Sequence, residues 1–272
     1  MTSLMRCYVP KSSEGVTPDG SPDWEFLLTE LQRSTEPKPV DWSGIHLDAG
    51  SFTEQQAFVH DRAPLQAALC TRRAAKSYSG GLKAYDFGML RHPGSAILIA
   101  GLNQEEVRRI WWDPILKDIS DRHGIPIRAV KSELCIYLPN RSRILLLGMD
   151  ANEKQKRNAL GQKYSLILLD EAQDWTTELN AFVYGVLKPC VADYNGSIAL
   201  LGTPGLIAKG LFYDVVTGRE KGWSVHEWDT YKNTTRPVPG EPTMAELWGI
   251  EVEQLKAMKP GIEETPWFQR NY

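Results

Sequence analysis

Along the chain, short unbroken apolar runs alternate with polar segments in which apolar positions recur every three or four residues. A run of about five apolar residues that stops at a polar or glycine-rich turn reads as a strand buried on both faces, the pattern of a parallel sheet. Residues 64–69, 95–100, 165–169 and 197–201 fit this pattern, and 224–228 reads as a late strand. Residues 134–138 and 143–147 flank Pro139-Asn140 and predict a hairpin. Helical spacing covers 54–59, 103–119, 176–187 and 243–258. Asn103 is placed to cap the second of these, with glutamates in its first turn and a kink expected at Pro114; Thr176 or Thr177 is placed to cap the third. Strands alternating with helices predict an α/β domain with a central, mainly parallel sheet.

Three strand ends carry chemistry. The run 165–169 leads directly into Asp170 and Glu171, with Gln173 close behind. Open α/β sheets bind ligands at strand C-termini. There, one carboxylate can hold magnesium through its water shell while its neighbour polarises an attacking water. A solvated acidic turn is the structural alternative. The strand 64–69 leads into Cys70-Thr71-Arg72-Arg73-Ala74-Ala75-Lys76-Ser77. Lys76 and Ser77 match the end of the phosphate loop G-x-x-x-x-G-K-[ST], in which the lysine reaches the terminal phosphates and the hydroxyl ligates magnesium. Both glycines of that motif are replaced, by Cys70 and Ala75. Alanine matters there if the backbone needs positive φ, which costs a non-glycine residue about 1–2 kcal/mol. A basic helix start is the alternative reading. The strand 197–201 ends in Gly202-Thr203-Pro204-Gly205, where the Thr203 hydroxyl is placed to sense a nucleotide or is simply part of a turn. The order of the three ends, Lys-Ser before Asp-Glu before Thr, points to a nucleoside-triphosphatase.

The ordered set resembles the ATPase domain of the large terminase subunit, the viral motor that packages DNA into capsids. The resemblance covers residues 51–230 and rests on T-R-R-A-A-K-S, D-E-A and L-G-T-P-G. It extends to Leu138-Pro139-Asn140-Arg141-Ser142-Arg143-Ile144, to Gly148-Met149-Asp150-Ala151-Asn152 followed by Gly161, and to Gly210-Leu211-Phe212-Tyr213-Asp214 with Gly222-Trp223 and Trp228. Ala75 departs from it, since the family usually has glycine there. The resemblance implies a P-loop NTPase of the ASCE type with ATP and Mg²⁺ as cofactors. Backbone N–H groups from Thr71, Arg72, Arg73, Ala74, Ala75, Lys76 and Ser77 would cradle the phosphates, with Lys76 on the β and γ oxygens. Ser77 and Asp170 would hold magnesium, Glu171 would activate water, and Thr203 would report the γ-phosphate state. Arg72 is implied as a sensor in cis, and Gln55, chosen over Gln56, as an adenine contact. The resemblance also implies an arginine added by a neighbouring subunit, with Arg128, Arg141, Arg143 and Arg157 all open. Implied partners are double-stranded DNA, the portal protein of the procapsid, the small terminase subunit and further copies in a ring. The implied setting is the host cytoplasm, at the portal.

Composition agrees with this picture. With 42% hydrophobic and 24% charged residues, the chain belongs among soluble globular proteins and not disordered ones. No apolar run approaches the roughly 18–20 residues of a membrane span. Cys7, Cys70, Cys135 and Cys190 show no paired spacing, which suggests neither zinc nor a disulfide framework. A net charge of −3 excludes a general nucleic-acid adhesive, yet residues 122–163 hold nine Lys/Arg against three acids. That segment is either a phosphate-backbone surface or a set of solvated loop faces. Residues 1–50 read as a polar lead-in with one amphipathic helix at 24–33, 51–235 as the ATPase core, and 236–272 as a lid or linker. In the family such a linker leads to a nuclease domain. No further strand-borne acidic cluster follows here, so a fragment without nuclease activity is expected. Two alternatives stand: a helicase-like ATPase of superfamily 2, whose D-E-x-x motif resembles Asp170 to Gln173, and a nucleotide-binding scaffold that does not hydrolyse ATP.

Overall fold

The apolar runs assemble side by side, because each is buried on both faces and none can stop at water. In a computed structural model, which describes residues 42, 44–47, 50–175, 179–205, 208–236, 240–265 and 268–269, they form one eight-stranded sheet. The strands are β1 (Leu65–Cys70), β2 (Ala96–Gly101), β3 (Arg128–Val130), β4 (Cys135–Tyr137), β5 (Arg143–Gly148), β6 (Leu166–Leu169), β7 (Ser197–Gly202) and β8 (Ser224–Trp228). Their spatial order is β3-β4-β5-β2-β6-β7-β1-β8. From β5 to β8 all neighbours are parallel, and β3-β4-β5 form an antiparallel edge. The expected hairpin is β4–β5, and the short β3 extends it. The expected helix at 24–33 and the proposed caps Thr176 and Thr177 lie outside the described residues.

Strand alternation sends successive side chains to opposite faces. Ala68, Ile97, Ile99, Leu166, Leu168, Ala199 and Leu201 pack into one core, and Ala67, Leu98, Ala100, Ile167, Leu169, Ile198 and Leu200 into the other. Helix α1 (Thr53–His60), α2 (Lys76–Tyr85) and α3 cover the first face. α3 is a helical run through Gln104–Val107, Arg108–Lys117 and Asp118–Arg122. Asn103 caps it as expected, its side chain accepting from the Glu106 amide. Pro114, where a kink is expected, lies inside a π-helical stretch, Arg108–Lys117, whose wider turns accommodate the missing proline N–H. The second face is covered by α4 (Glu153–Leu160), by the run through Leu179–Ala181, Phe182–Leu187 and Lys188–Val191 that we call α5, and by α6 (Leu211–Val216). α7 (Met244–Met258) begins at a capping box of Thr243 and Glu246 and carries the small cluster Trp248, Val252, Ile262 and Phe268. Among the described residues, no helix is long and apolar enough to cross a membrane.

Topology matters for the chemistry. β7 pairs with both β1 and β6, so it stands between the strand before Lys76 and the strand before Asp170. All three are parallel, which brings Cys70, Asp170 and Thr203 to the same edge of the sheet.

Candidate functional site

The loop between β1 and α2 turns in the left-handed region twice, at Arg73 (φ 61°) and Ala75 (φ 61°, ψ 26°). The position where a glycine would be expected therefore does need positive φ, and alanine occupies it. The conformation persists because the loop's carbonyls are held elsewhere. Thr230 Oγ1 donates to Arg72 O, Asn233 Nδ2 to Arg73 O (3.2 Å), Trp228 Nε1 to Ala74 O (2.7 Å) and Ser79 Oγ to Ala75 O (2.8 Å). The Thr230 amide in turn donates to Thr71 Oγ1 (3.0 Å). Four successive carbonyls are thus drawn to neighbouring side chains, while of the expected cradle the Thr71 amide donates to the Trp228 carbonyl and the Ala74 amide to the Thr71 carbonyl, both at 3.4 Å. The N–H groups at the start of α2 have no carbonyl a turn earlier in the helix to meet and suit an anion. Gln55 supports this arrangement from below: it is 1% exposed, and its Nε2 donates to Ser79 Oγ (2.9 Å).

Lys76 opens α2 and reaches across to the end of β6. Its Nζ donates to Asp170 Oδ1 at 2.8 Å and to Glu171 Oε1 at 3.0 Å. Burial works against the Lys76 ammonium, but the two carboxylates outweigh it and hold its pKa above the ordinary lysine value. Asp170 is 3% exposed and fully partnered. Trp111 Nε1 on α3 donates to its Oδ2 (2.8 Å), and the Glu171 amide donates to its Oδ1 (3.0 Å). Trp175 Nε1 donates to the Asp170 carbonyl at 2.9 Å. Glu171 adopts φ 50°, a third left-handed residue at this edge, and its side chain remains 38% exposed.

A cleft of about 280 Å³ opens over these ends, and Arg72, Asp170, Glu171, Gln173 and Thr203 all line it. Ser77 is half-buried at the second position of α2. Arg73, by contrast, leaves the loop for α7, where it pairs with Glu251 and lies 5.5 Å from the Trp248 ring centroid. Arg128 stacks over Tyr137 at 4.0 Å and Arg143 donates to Gln162 at 2.7 Å, both at the antiparallel edge and outside the cleft lining. Several cations of 122–163 are locally paired, Arg122 with Asp118, Lys156 with Glu153 and Lys163 with Asp193.

Sequence reasoning missed what the indoles of Trp111, Trp175 and Trp228 bond and the part played by residues 229–233. The signal was present in kind: an indole N–H buried among aliphatic residues needs a partner. Which acceptor each would find depended on contacts across up to 160 positions, as between Asn233 and Arg73.

No family profile matches the sequence, and no curated protein matches it. Solved structures do. The large terminase ATPase domain of Thermus phage P74-26 matches 81% of this chain over 91% of its own, with TM-score 0.54 and 14% identity. The fold is that of phage large terminase ATPase domains. The large terminase of a thermophilic bacteriophage matches with TM-score 0.60 and 14% identity over 78% of this chain and 51% of its own, and was also solved with ADP and with ATP-gamma-S. The large terminase of HK97 bacteriophage matches at 13% identity and TM-score 0.55, over 76% of this chain and 46% of its own. The expected α/β P-loop NTPase fold, with its mainly parallel sheet flanked by helices, is the observed one.

Proposed function

We propose that this chain is the ATPase domain of a DNA-packaging motor of the large terminase kind, hydrolysing ATP to drive double-stranded DNA into a procapsid. The observation that carries the reading is Lys76, bridged at 2.8 Å and 3.0 Å to Asp170 and Glu171 beneath a cleft that Arg72 and Thr203 also line. A lysine so placed has one clear exchange open to it: from carboxylates to the β and γ oxygens of a bound nucleotide. Backbone N–H groups of the loop and of the first turn of α2 receive the phosphates, those of Thr71 and Ala74 only by leaving the carbonyls of Trp228 and Thr71. Lys76 moving onto them releases Glu171 Oε1, which then accepts the proton of the attacking water. Arg72 meets the charge that develops on the transferred phosphoryl group, a contribution worth about 10³–10⁵ in rate in related nucleotidases.

Among the described residues no group of three or more His, Cys, Asp or Glu gathers to hold a metal. Ser77 carries a hydroxyl at the second position of α2, and Asp170 Oδ1 would be freed for a cation as Lys76 turns from it to the phosphates. That pair suits magnesium arriving with the nucleotide, since the ion prefers one or two protein oxygens completed by phosphates and waters. Bound there, magnesium supplies charge neutralisation on the β and γ oxygens. The terminase reading brings a ring of copies, the portal protein and the small terminase subunit as partners, and places the chain at the procapsid portal in the host cytoplasm.

The test is magnesium-dependent ATP hydrolysis by the chain and its Glu171→Gln variant, with and without double-stranded DNA. Turnover is expected in the first and near-abolition in the second, with ATP binding spared. Equal rates would remove Glu171 from the chemistry. Lys76→Ala is expected to weaken nucleotide binding, and unchanged affinity would overturn the phosphate-loop assignment.

A further inference from the structure

Gln173 lies three residues past Asp170, on the 3₁₀ turn Ala172–Asp174. Its side chain touches both acidic and β7 sides of the cleft. Oε1 accepts from the Thr203 amide at 3.0 Å, while Nε2 donates to Glu171 Oε2 at 2.6 Å and to Asp174 Oδ2 at 3.0 Å. Chemistry fixes the direction of this amide. Turned over, it would set a carbonyl against two carboxylates and an NH₂ group against an N–H. Close approach is built in on the β7 side: a Cβ on Gly202 would stand 2.9 Å from Gln173 Oε1 and 2.5 Å from the Phe212 ring. Gln173 and Thr203 also line a second cavity of about 200 Å³ with Phe212 and Tyr213 of α6, so the pair forms a wall between the nucleotide cleft and that helix.

We infer that Gln173 is a positioning residue that couples the Glu171 carboxylate to the loop following β7. The inference rests on the assignment of Glu171 as base made above. Glu171 has one oxygen on Lys76 and the other on Gln173. Once Lys76 turns to a phosphate, Gln173 is the side chain still directing the carboxylate, and its own direction is set by the Thr203 amide. Displacement of the loop at Thr203 therefore re-aims the base, and displacement of the base is felt at Thr203. Aiming matters because misplacing a reacting group by about 1 Å can cost about 10²-fold in rate.

The experiment uses the full chain with Gln173→Leu, which keeps volume and removes both bonds, and Gln173→Glu, which keeps the acceptor for Thr203 and loses the donor to Glu171. Both variants are expected to lower kcat by about 10²-fold with KM for ATP and equilibrium ATP affinity unchanged. A second readout needs no turnover. In the wild-type background Glu171→Gln is expected to shift the Thr203 backbone amide resonance, and in the Gln173→Leu background that shift is expected to vanish. A wild-type kcat in both variants, or a Thr203 shift that survives Gln173→Leu, overturns the coupling while leaving the ATPase assignment intact. A wild-type chain that neither binds nor hydrolyses ATP overturns the base assignment and the coupling with it.

Discussion

Ala75 shows how a single side chain can set the quality of a loop. At φ 61° it carries a Cβ in a region that favours glycine, at a cost of about 1–2 kcal/mol. Replacing it by glycine removes that cost and adds back about 0.4–1 kcal/mol of unfolded-chain entropy. Ala75→Gly is therefore expected to raise stability by between zero and about 1.6 kcal/mol, each kcal/mol seen as a melting temperature higher by about 2–4 °C. ATP affinity is expected to rise with it. A lower melting temperature with unchanged affinity would mean that the loop is tuned to alanine. Trp111 offers a complementary test. Its indole is the partner of the buried Asp170 Oδ2, and phenylalanine keeps an aromatic ring while removing the donor and some of the packed volume. Trp111→Phe is expected to destabilise by at least about 1–3 kcal/mol, the usual cost of an orphaned buried acceptor to which the lost packing adds, measurable by urea unfolding. Loss of less than a few tenths would show that water replaces the indole.

At the scale of elements, the phosphate loop depends on a segment that follows a strand far along the chain. Trp228 closes β8, and Thr230 and Asn233 follow it; all three are buried and donate to loop carbonyls. Thr230→Val keeps the shape and withdraws the hydroxyl from Arg72 O and Thr71 Oγ1. The expected outcome is a loss of about 1–3 kcal/mol in stability and weaker ATP binding, read by melting and by nucleotide titration. Stability lost at constant affinity would separate the scaffold from the site. These dependencies also mark what the sequence could and could not disclose. β1, β2, β6 and β7 were legible because a strand buried on both faces leaves a largely apolar run, Asp170, Glu171 and Thr203 because they follow such a run within two residues, and Lys76 because Lys-Ser closes the loop after β1. Gln173 was visible in the sequence, but its role was not: an amide that bridges two strand ends looks like any surface glutamine until β7 is known to lie beside β6. Arg73 was read into the phosphate cradle through its backbone N–H; that its side chain serves α7 was not legible, since adjacent residues in a tight turn face different neighbours.

For the molecule as a whole, strand order could not be read from local pattern, since any of the apolar runs would pair with any other. The observed order leaves β8 at one edge of the sheet, half-buried and, among the described residues, joined laterally to β1 alone. Holding that edge is consequential, because the loop-supporting segment begins at its end. Asp61, just after α1, supplies the fastening: its Oδ2 lies 2.8 Å from His226 Nε2 on β8, and its Oδ1 accepts from the Ala63 amide at 2.8 Å. Burial raises the Asp61 pKa, but the hydrogen bonds from His226, the Ala63 amide and Ser224 outweigh it, leaving a net value below the ordinary aspartate one. The folded chain thus holds the Asp61 proton less readily than the unfolded chain does. Its stabilising contribution is complete above about pH 4, where the unfolded carboxyl is already ionised, and is lost as pH falls through the lower folded value. Asp61→Asn is accordingly expected to unfold more easily than wild type at about pH 7 and to approach it at about pH 3. Urea unfolding at the two pH values measures the gap. A gap that stays constant would show that shape, and not the carboxylate charge, fastens β8 to α1; a gap that closes would place the anchoring of the phosphate loop partly in an ionised residue at the opposite end of the sheet.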